Sequence, residues 1–101
     1  MTKDAVQRLQ MLEQNVQALN MQKQQLQAQA FELEGALKEL GSSPVGFKLI
    51  GGIMVEVQKS SLEAELKSKK ELHELRIQTL EKQEAQIKEK AKSLQNEVLK
   101  E

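Results

Sequence analysis

The sequence predicts a mostly α-helical chain with a small β-hairpin, in which two long helices fold back on each other as an antiparallel two-helix coiled coil. Three observations predict this fold class. Apolar residues recur three and four positions apart towards both ends of the chain, and a glycine pair between two β-branched runs lies in the middle. Only 2% of the residues are aromatic while 30% are charged, a composition typical of long helices rather than of a thick globular core.

The first helix is predicted over residues 2–40, which contain no proline. With heptad position a at residue 9, nine of the ten a and d positions are apolar, which is typical of a supercoiling seam. Gly41 is expected to cap the helix, and Pro44 to prevent its continuation. The seam positions of this helix are Leu9, Leu12, Val16, Leu19, Lys23, Leu26, Ala30, Leu33, Leu37 and Leu40.

A β-hairpin is predicted over residues 45–57, around the pair Gly51-Gly52. Two glycines suit a type I′ turn, which needs a positive φ at both central residues. This turn places Ile50 opposite Ile53, and both faces of the hairpin then carry apolar side chains. Because an isolated two-stranded hairpin is at best marginally stable in water, we expect this one to pair with other chains.

The second helix is predicted over residues 60–101, which contain neither proline nor glycine. Ser60 and Glu63 fit a capping box in which the serine is the N-cap. With position a at residue 77, seven of the ten seam positions are apolar. The seam positions of this helix are Leu66, Lys70, His73, Ile77, Leu80, Glu84, Ile87, Ala91, Leu94 and Val98.

Counting residues back from the hairpin sets the expected register between the two helices. At a rise of about 1.5 Å per residue, Leu9 comes near Leu94, and Lys23 and Glu84 lie about one turn apart. These two charged residues interrupt the apolar seam, and we expect them to pair and to help fix its register. The outer ends of the helices are expected to be level and free.

Composition argues against several classes of function. Fifteen basic residues balance fifteen acidic ones, and a net charge of zero does not favour nucleic acid or an anionic membrane as a partner. Cysteine is absent and His73 is the single histidine, so we expect no catalytic site, no metal site, no cofactor and no enzyme activity. Without a long apolar stretch or a signal peptide, the protein is expected to be cytoplasmic.

The whole chain resembles the prefoldin β-type subunits. The plan of helix, short hairpin and helix is that of the family, and residues 45–56 are similar to its hairpin, with bulky and aliphatic residues on both sides of a glycine turn. Residues 22–24 and 83–90 are also similar to the family. The α-type subunits carry two hairpins and need a longer middle segment, so the single hairpin favours the β type.

The resemblance implies a subunit of an ATP-independent chaperone, which captures unfolded polypeptides and delivers them to a group II chaperonin. The implied partners are prefoldin α-type subunits and further β-type copies in a hexamer of two α-type and four β-type chains, unfolded client proteins, and the chaperonin. In such hexamers the hairpins join in intersubunit β-barrels from which the coiled coils project. The implied domain organisation is a single prefoldin-like unit over residues 1–101.

Two sets of residues are candidates for these roles. Assembly is expected to use the apolar hairpin residues and the turn, namely Phe47, Leu49, Ile50, Gly51, Gly52, Ile53, Met54, Val55 and Val57. Client binding is expected near the outer ends of the coil, where terminal turns have few partners and some apolar residues lie off the seam. The candidate client-binding residues are Met1, Val6, Leu9, Met11, Leu12, Leu94, Val98 and Leu99.

Other interpretations stay open. In the first, the chain is a structural coiled-coil adaptor whose hairpin only reverses the chain and whose seam recruits one fixed protein partner. A nucleic-acid-associated coiled coil is a further alternative, which the zero net charge disfavours. Off the seam, Phe31, Leu72 and Leu75 would line a client cavity in one interpretation, but we favour their packing against the body of the assembly or a neighbouring subunit.

Overall fold

The computed structural model describes residues 3–100 and contains two long helices and two short strands. In chain order these are α1 (Lys3–Ser42), β1 (Gly46–Ile50), β2 (Ile53–Val57) and α2 (Lys59–Lys100). The strands pair as one antiparallel hairpin, and 84% of the described residues are helical. The predicted fold class, a mostly α-helical chain with a small hairpin between two helices, is confirmed.

The heptad seam is the protected side of each helix. All ten predicted seam positions of α1 are partly or fully shielded from solvent, and Ala5 is the only other described residue of α1 that is shielded. In α2 the shielded positions from Leu66 onwards are the ten that the heptad pattern predicts. The three-and-four spacing therefore identified which side of each helix packs against the other.

The core along this seam is thin. Leu40 and Leu80, at 8% and 7% exposure, are the buried hydrophobic side chains of the described range 3–100. The remaining seam residues are partly exposed, because two paired helices cannot enclose a side chain on all sides. Most of the apolar surface that the chain buries is thus buried at a line of contacts and not in a globular interior.

Helix α1 ends two residues later than predicted, at Ser42 instead of Leu40. Gly41 stays in the helix and does not adopt the positive φ of a glycine C-cap. The last carbonyls have other partners: the Ser42 hydroxyl lies 3.3 Å from the oxygens of Lys38 and Glu39, and Lys59 Nζ donates to the Gly41 oxygen over 3.1 Å. Side chains thus satisfy the helix end without a left-handed glycine.

Helix α2 begins one residue earlier than predicted, at Lys59. The amide of Leu62 donates to the carbonyl of Gln58 over 3.1 Å, so Gln58 and not Ser60 flanks the first helical turn. The predicted capping box with Ser60 as N-cap is therefore wrong. The physical reason is that β2 ends at Val57 and the chain enters the helix almost at once, which leaves Ser60 inside the first turn.

The hairpin has the predicted register and turn. Gly46 lies opposite Val57 and Ile50 opposite Ile53, with the residues between them paired in order. Gly51 and Gly52 have φ values of +55° and +81°, as a type I′ turn requires and as residues with a Cβ rarely tolerate.

The chain divides into two compact units. We call the residues up to Gln25 and from Arg76 onwards the terminal unit, and Leu26–Leu75 the hairpin unit. The terminal unit contains the first part of α1 and the last part of α2, and the hairpin unit contains both strands with the adjoining helical segments. That residues 1–101 act as a single unit stays a prediction.

Within the terminal unit the two helical segments run antiparallel, and their contacts follow the order expected from counting. Lys23 contacts Glu84 directly, where residue counting placed them about one turn apart. Leu12 lines a groove with Leu94, a position that counting assigned to Leu9. A lysine and a glutamate side chain together can span such a separation, and the groove extends over several turns of both helices. The exact register of the seam therefore stays a prediction.

Candidate assembly and client-binding surfaces

The hairpin displays large apolar side chains that its own chain does not cover. Six of the nine candidate assembly residues are large hydrophobic residues that are 40–70% exposed, and Val57 is partly shielded. The other two, Gly51 and Gly52, form the turn. The six exposed residues are Phe47, Leu49, Ile50, Ile53, Met54 and Val55.

These side chains lie on both faces of the hairpin. From the register, one face carries Phe47, Leu49 and Met54, whereas Ile50 and Ile53 lie on the other, together with the two valines of β2. Each strand is bonded to one neighbour and leaves its outer edge of N–H and C=O groups unpaired within the described chain. Such edges, flanked by apolar faces, favour the addition of further strands.

An open groove of about 680 Å³ lies between the hairpin and the helices of the hairpin unit. Leu40 and Leu66 form part of its helical wall, and Leu49 and Met54 part of its strand wall. Lys48 and other charged residues complete the lining. We call it the hairpin groove. It is a second apolar surface beside the strand edges, and sequence patterning did not predict it because it forms only where strand and helix meet.

The charged side of the hairpin groove is an ion-pair cluster. Lys48 Nζ donates to Glu65 Oε1 over 2.8 Å, and Lys69 Nζ lies 3.8 Å from the same oxygen. The hydrogen bond from Lys48 is the largest effect and lowers the pKa of Glu65. Desolvation opposes it, and the charges of Lys48 and Lys69 lower the pKa further. The carboxylate therefore stays ionised and paired at neutral pH.

Gly46 brings the first residue of β1 against both helices. A Cβ at this position would lie 3.0 Å from Leu62 Cδ2 and 3.2 Å from Leu40 Cδ1. Any larger residue would have to displace one of these side chains. The close approach was not predicted, because Gly46 has no positive φ and stands in the sequence as an ordinary residue at the start of a strand.

A second open groove, of about 750 Å³, lies in the terminal unit. It contains three of the candidate client-binding residues, Met11, Leu12 and Leu94, and Met11 is 62% exposed. We call it the Met11 groove. Its remaining lining is polar or charged with both signs and consists of Arg8, Asn15, Gln86, Glu89, Lys90, Ser93 and Glu97.

The polar lining of the Met11 groove was missed in the sequence. A signal was present for four of these residues, which occupy heptad position g beside the seam. They are Arg8, Asn15, Lys90 and Glu97. A smaller groove of about 300 Å³ shares Asn15, Gln86 and Lys90 with the Met11 groove and includes Leu19. The two grooves therefore adjoin on one side of the paired helices.

The other candidate client-binding residues do not line the Met11 groove. Val6 and Leu99 are exposed, at 45% and 75%, whereas Leu9 and Val98 are partly shielded at the seam. Met1 lies outside the described residues. A binding role for any of the eight candidates stays a prediction.

The predicted contact between Lys23 and Glu84 is present. The Lys23 ammonium lies 3.4 Å from Glu84 Oε2, with side-chain exposures of 19% and 14%, and Lys88 Nζ lies 2.9 Å from the other oxygen. The hydrogen bond from Lys88 lowers the pKa of Glu84, helped by the charge of Lys23 and opposed by desolvation. That this pair fixes the register stays a prediction.

Three further apolar residues of the hairpin unit are exposed. Phe31, Leu72 and Leu75 have exposures of 76%, 65% and 61%. The favoured interpretation, packing against the body of an assembly or a neighbouring subunit, stays a prediction. His73, at a seam position, is partly shielded.

Two kinds of feature are absent from residues 3–100. Neither helix has a segment apolar enough to cross a membrane. Within the same range, acidic and histidine side chains nowhere gather in threes in a way that could hold a metal ion.

Comparison with known proteins gives a consistent result. A family model described as "Prefoldin subunit" matches residues 3–101. Curated relatives named prefoldin subunit beta include one from Methanothrix thermoacetophila, 40% identical over 89% of this chain and 78% of its own length. A second, from Archaeoglobus fulgidus, is 39% identical over 84% of this chain and 76% of its own length.

A solved structure agrees with these relatives. The crystal structure of the prefoldin beta subunit from Thermococcus strain KS-1 superposes with a TM-score of 0.88 at 34% sequence identity and covers 95% of this chain and 87% of that one. Both the sequence and the arrangement of helix, hairpin and helix therefore match. The chain belongs to the prefoldin family and is a subunit of the β type.

Proposed function

We propose that this chain is a subunit of an ATP-independent chaperone that captures unfolded polypeptides in the Met11 groove and delivers them to a group II chaperonin. Membership of a chaperone family supports the general role. The observation that carries the finer proposal is the groove itself, in which Met11, Leu12 and Leu94 lie together in an open recess.

The chemistry of the Met11 groove suits unfolded chains of varied sequence. Its apolar residues can accept side chains that a folded protein would bury, and a methionine adapts its shape to irregular partners. Arg8 and Lys90 are balanced by Glu89 and Glu97 in the lining, so the groove selects for neither acidic nor basic clients. A recess open to solvent lets a client bind and leave without an energy-consuming step.

The hairpin surfaces support the assembly part of the proposal. The proposed partners are prefoldin α-type subunits and further β-type copies, in a hexamer whose hairpins join in intersubunit β-barrels. Apolar residues on both faces and an open edge on each strand are the features that such joining needs. The proposed location is the cytoplasm, and neither nucleic acid nor membrane is a proposed partner.

Client capture is tested by an aggregation assay with the assembled complex. Met11→Ser should weaken the suppression of aggregation for several unrelated unfolded proteins by about threefold or more, because it removes the most adaptable apolar side chain of the groove. Met21→Ser is the matched control, since Met21 is on the same helix, is 64% exposed and does not line the groove. It should leave suppression unchanged.

Three outcomes would contradict the proposal. Equal effects of Met11→Ser and Met21→Ser would show that the groove has no special role. Activity towards one protein alone would favour the structural adaptor. Failure of the assembled complex to bind a group II chaperonin in a surface plasmon resonance measurement would remove the delivery step.

A further inference from the structure

One carboxylate connects strand β1 to helix α2. Lys48, in the middle of β1, donates to Glu65 Oε1 over 2.8 Å. The ammonium of Lys69, one helical turn beyond Glu65, lies 3.8 Å from the same oxygen. Glu65 is thus held between a charge on its own helix and a charge on the hairpin. Lys48 and Glu65 are 17 residues apart in sequence.

The base of the hairpin is fixed separately. At Gly46 the backbone of β1 comes so close to the helices that an added Cβ would lie 3.0 Å from Leu62 Cδ2 and 3.2 Å from Leu40 Cδ1. The other strand is joined to α2 at the same level, because β2 ends at Val57 and α2 begins at Lys59. Both attachments lie at the base of the hairpin, so the outer part of the ribbon can still tilt. Lys48 lies two residues beyond Gly46, about 7 Å along the strand. Its hydrogen bond to Glu65 attaches the strand further out, and attachment at both levels fixes the direction of the strand.

The ion pair contributes little to folding itself. The side chains of Lys48 and Glu65 are 40% and 35% exposed, and water screens and competes for ion pairs at such positions. The pair also closes one side of the hairpin groove, whose walls include Leu49 and Leu66. We therefore expect the ion pair to affect the direction of the hairpin and the width of the hairpin groove.

We propose that Lys48 and Glu65 are positioning residues for assembly: their ion pair sets the direction in which the hairpin leaves the helices and so presents its strand edges to neighbouring subunits. This inference rests on the proposed role of the hairpin as the assembly surface. An exposed ion pair can shift such an equilibrium by up to about fivefold, and a hairpin that occupies the binding direction for about a fifth of the time binds about fivefold more weakly than one held in it.

The test measures binding of the full-length chain to a prefoldin α-type subunit, with oligomer mass followed by light scattering. Lys48→Met and Glu65→Gln should each weaken assembly by about three- to fivefold at low salt. The double variant should be no weaker than either single one. Lys48→Arg keeps the positive charge and should assemble to within about twofold of the wild-type chain. Raising the salt to about 1 M should weaken the wild-type chain towards Lys48→Met and leave that variant nearly unchanged.

Matched controls separate a positioning role from a general loss of charge. Lys67→Met and Glu71→Gln remove the same charges at exposed positions of α2 and should leave assembly unchanged. Helix content and the urea midpoint of all variants should stay close to the wild-type values, because a positioning role does not act on folding.

Ile53→Asp, in the exposed part of β2, distinguishes a failure of the positioning role from a failure of the hairpin as the assembly surface. If Ile53→Asp abolishes assembly while Lys48→Met and Glu65→Gln assemble normally, the positioning role is overturned and the assembly surface stands. If Ile53→Asp also assembles normally, the hairpin is not the assembly surface and both proposals are wrong. Additive losses in the double variant would likewise overturn a role that depends on the pair.

Discussion

Replacing Leu80 by alanine should test whether the seam is the source of folding stability. Leu80 is 7% exposed, and the change removes three carbon atoms, each of which contributes about 0.8 kcal/mol when buried. Scaled by the buried fraction, the expected loss in the free energy of unfolding is about 2.2 kcal/mol. This lies at the low end for core leucines, because two paired helices can close partly around the missing atoms.

Leu72→Ala is the matched control on the same helix. Leu72 is 65% exposed, and the same scaling gives a loss of about 0.8 kcal/mol. Helix propensity changes equally in the two variants, so it cancels in the comparison. The expected difference of about 1.4 kcal/mol corresponds to about a tenfold difference in the equilibrium constant for unfolding.

Urea unfolding followed by helical circular dichroism measures both variants, and repeating it at several protein concentrations separates folding from association. A larger loss for Leu80→Ala that does not depend on concentration supports the reasoning. Equal losses in the two variants, or a loss below about 1 kcal/mol at Leu80, would show that the seam of the isolated chain does not carry its stability.

Two further predictions concern glycines and pH. Gly46→Ala should lower the free energy of unfolding by about 1–2 kcal/mol, because its Cβ meets Leu62 and Leu40. Gly35→Ala, inside α1 with nothing within 4 Å, should raise it by about 0.5–1 kcal/mol. Urea unfolding measures both, and a stability of Gly46→Ala equal to or above that of the wild type would refute the close approach. Because Lys48 holds the pKa of Glu65 below its usual 4.5, the pair is complete above that pH and is lost as the pH falls through the lowered pKa. Assembly measured by light scattering should therefore weaken in acid more for the wild type than for Glu65→Gln, and parallel curves would contradict this.

The parts of the fold that could be predicted are those fixed by local repetition. A seam works only if nearly every level of the contact is apolar, so positions such as Leu19 and Leu80 stand out in the sequence by their spacing alone. Gly51 and Gly52 determined the hairpin register in the same way, because few other residue pairs tolerate two positive φ values.

The features that could not be predicted depend on several partners at once. The end of α1 was placed too early because Ser42 and Lys59 satisfy carbonyls that a glycine cap would otherwise leave open. The contact of Gly46 with two leucines, and the joining of Lys48 to Glu65, arise only when strand and helix come together. Nothing in the local sequence distinguishes these residues from their neighbours.

The exposed hairpin has a consequence for the amount of this chain that a cell can produce. A chain that carries six large apolar side chains at 40–70% exposure gains free energy from almost any apolar contact, whether or not it is the intended one. Copies made in excess of their partners would therefore adhere to one another or be degraded. If the hairpin is the assembly surface proposed above, production of this chain must be matched to that of its partner subunits.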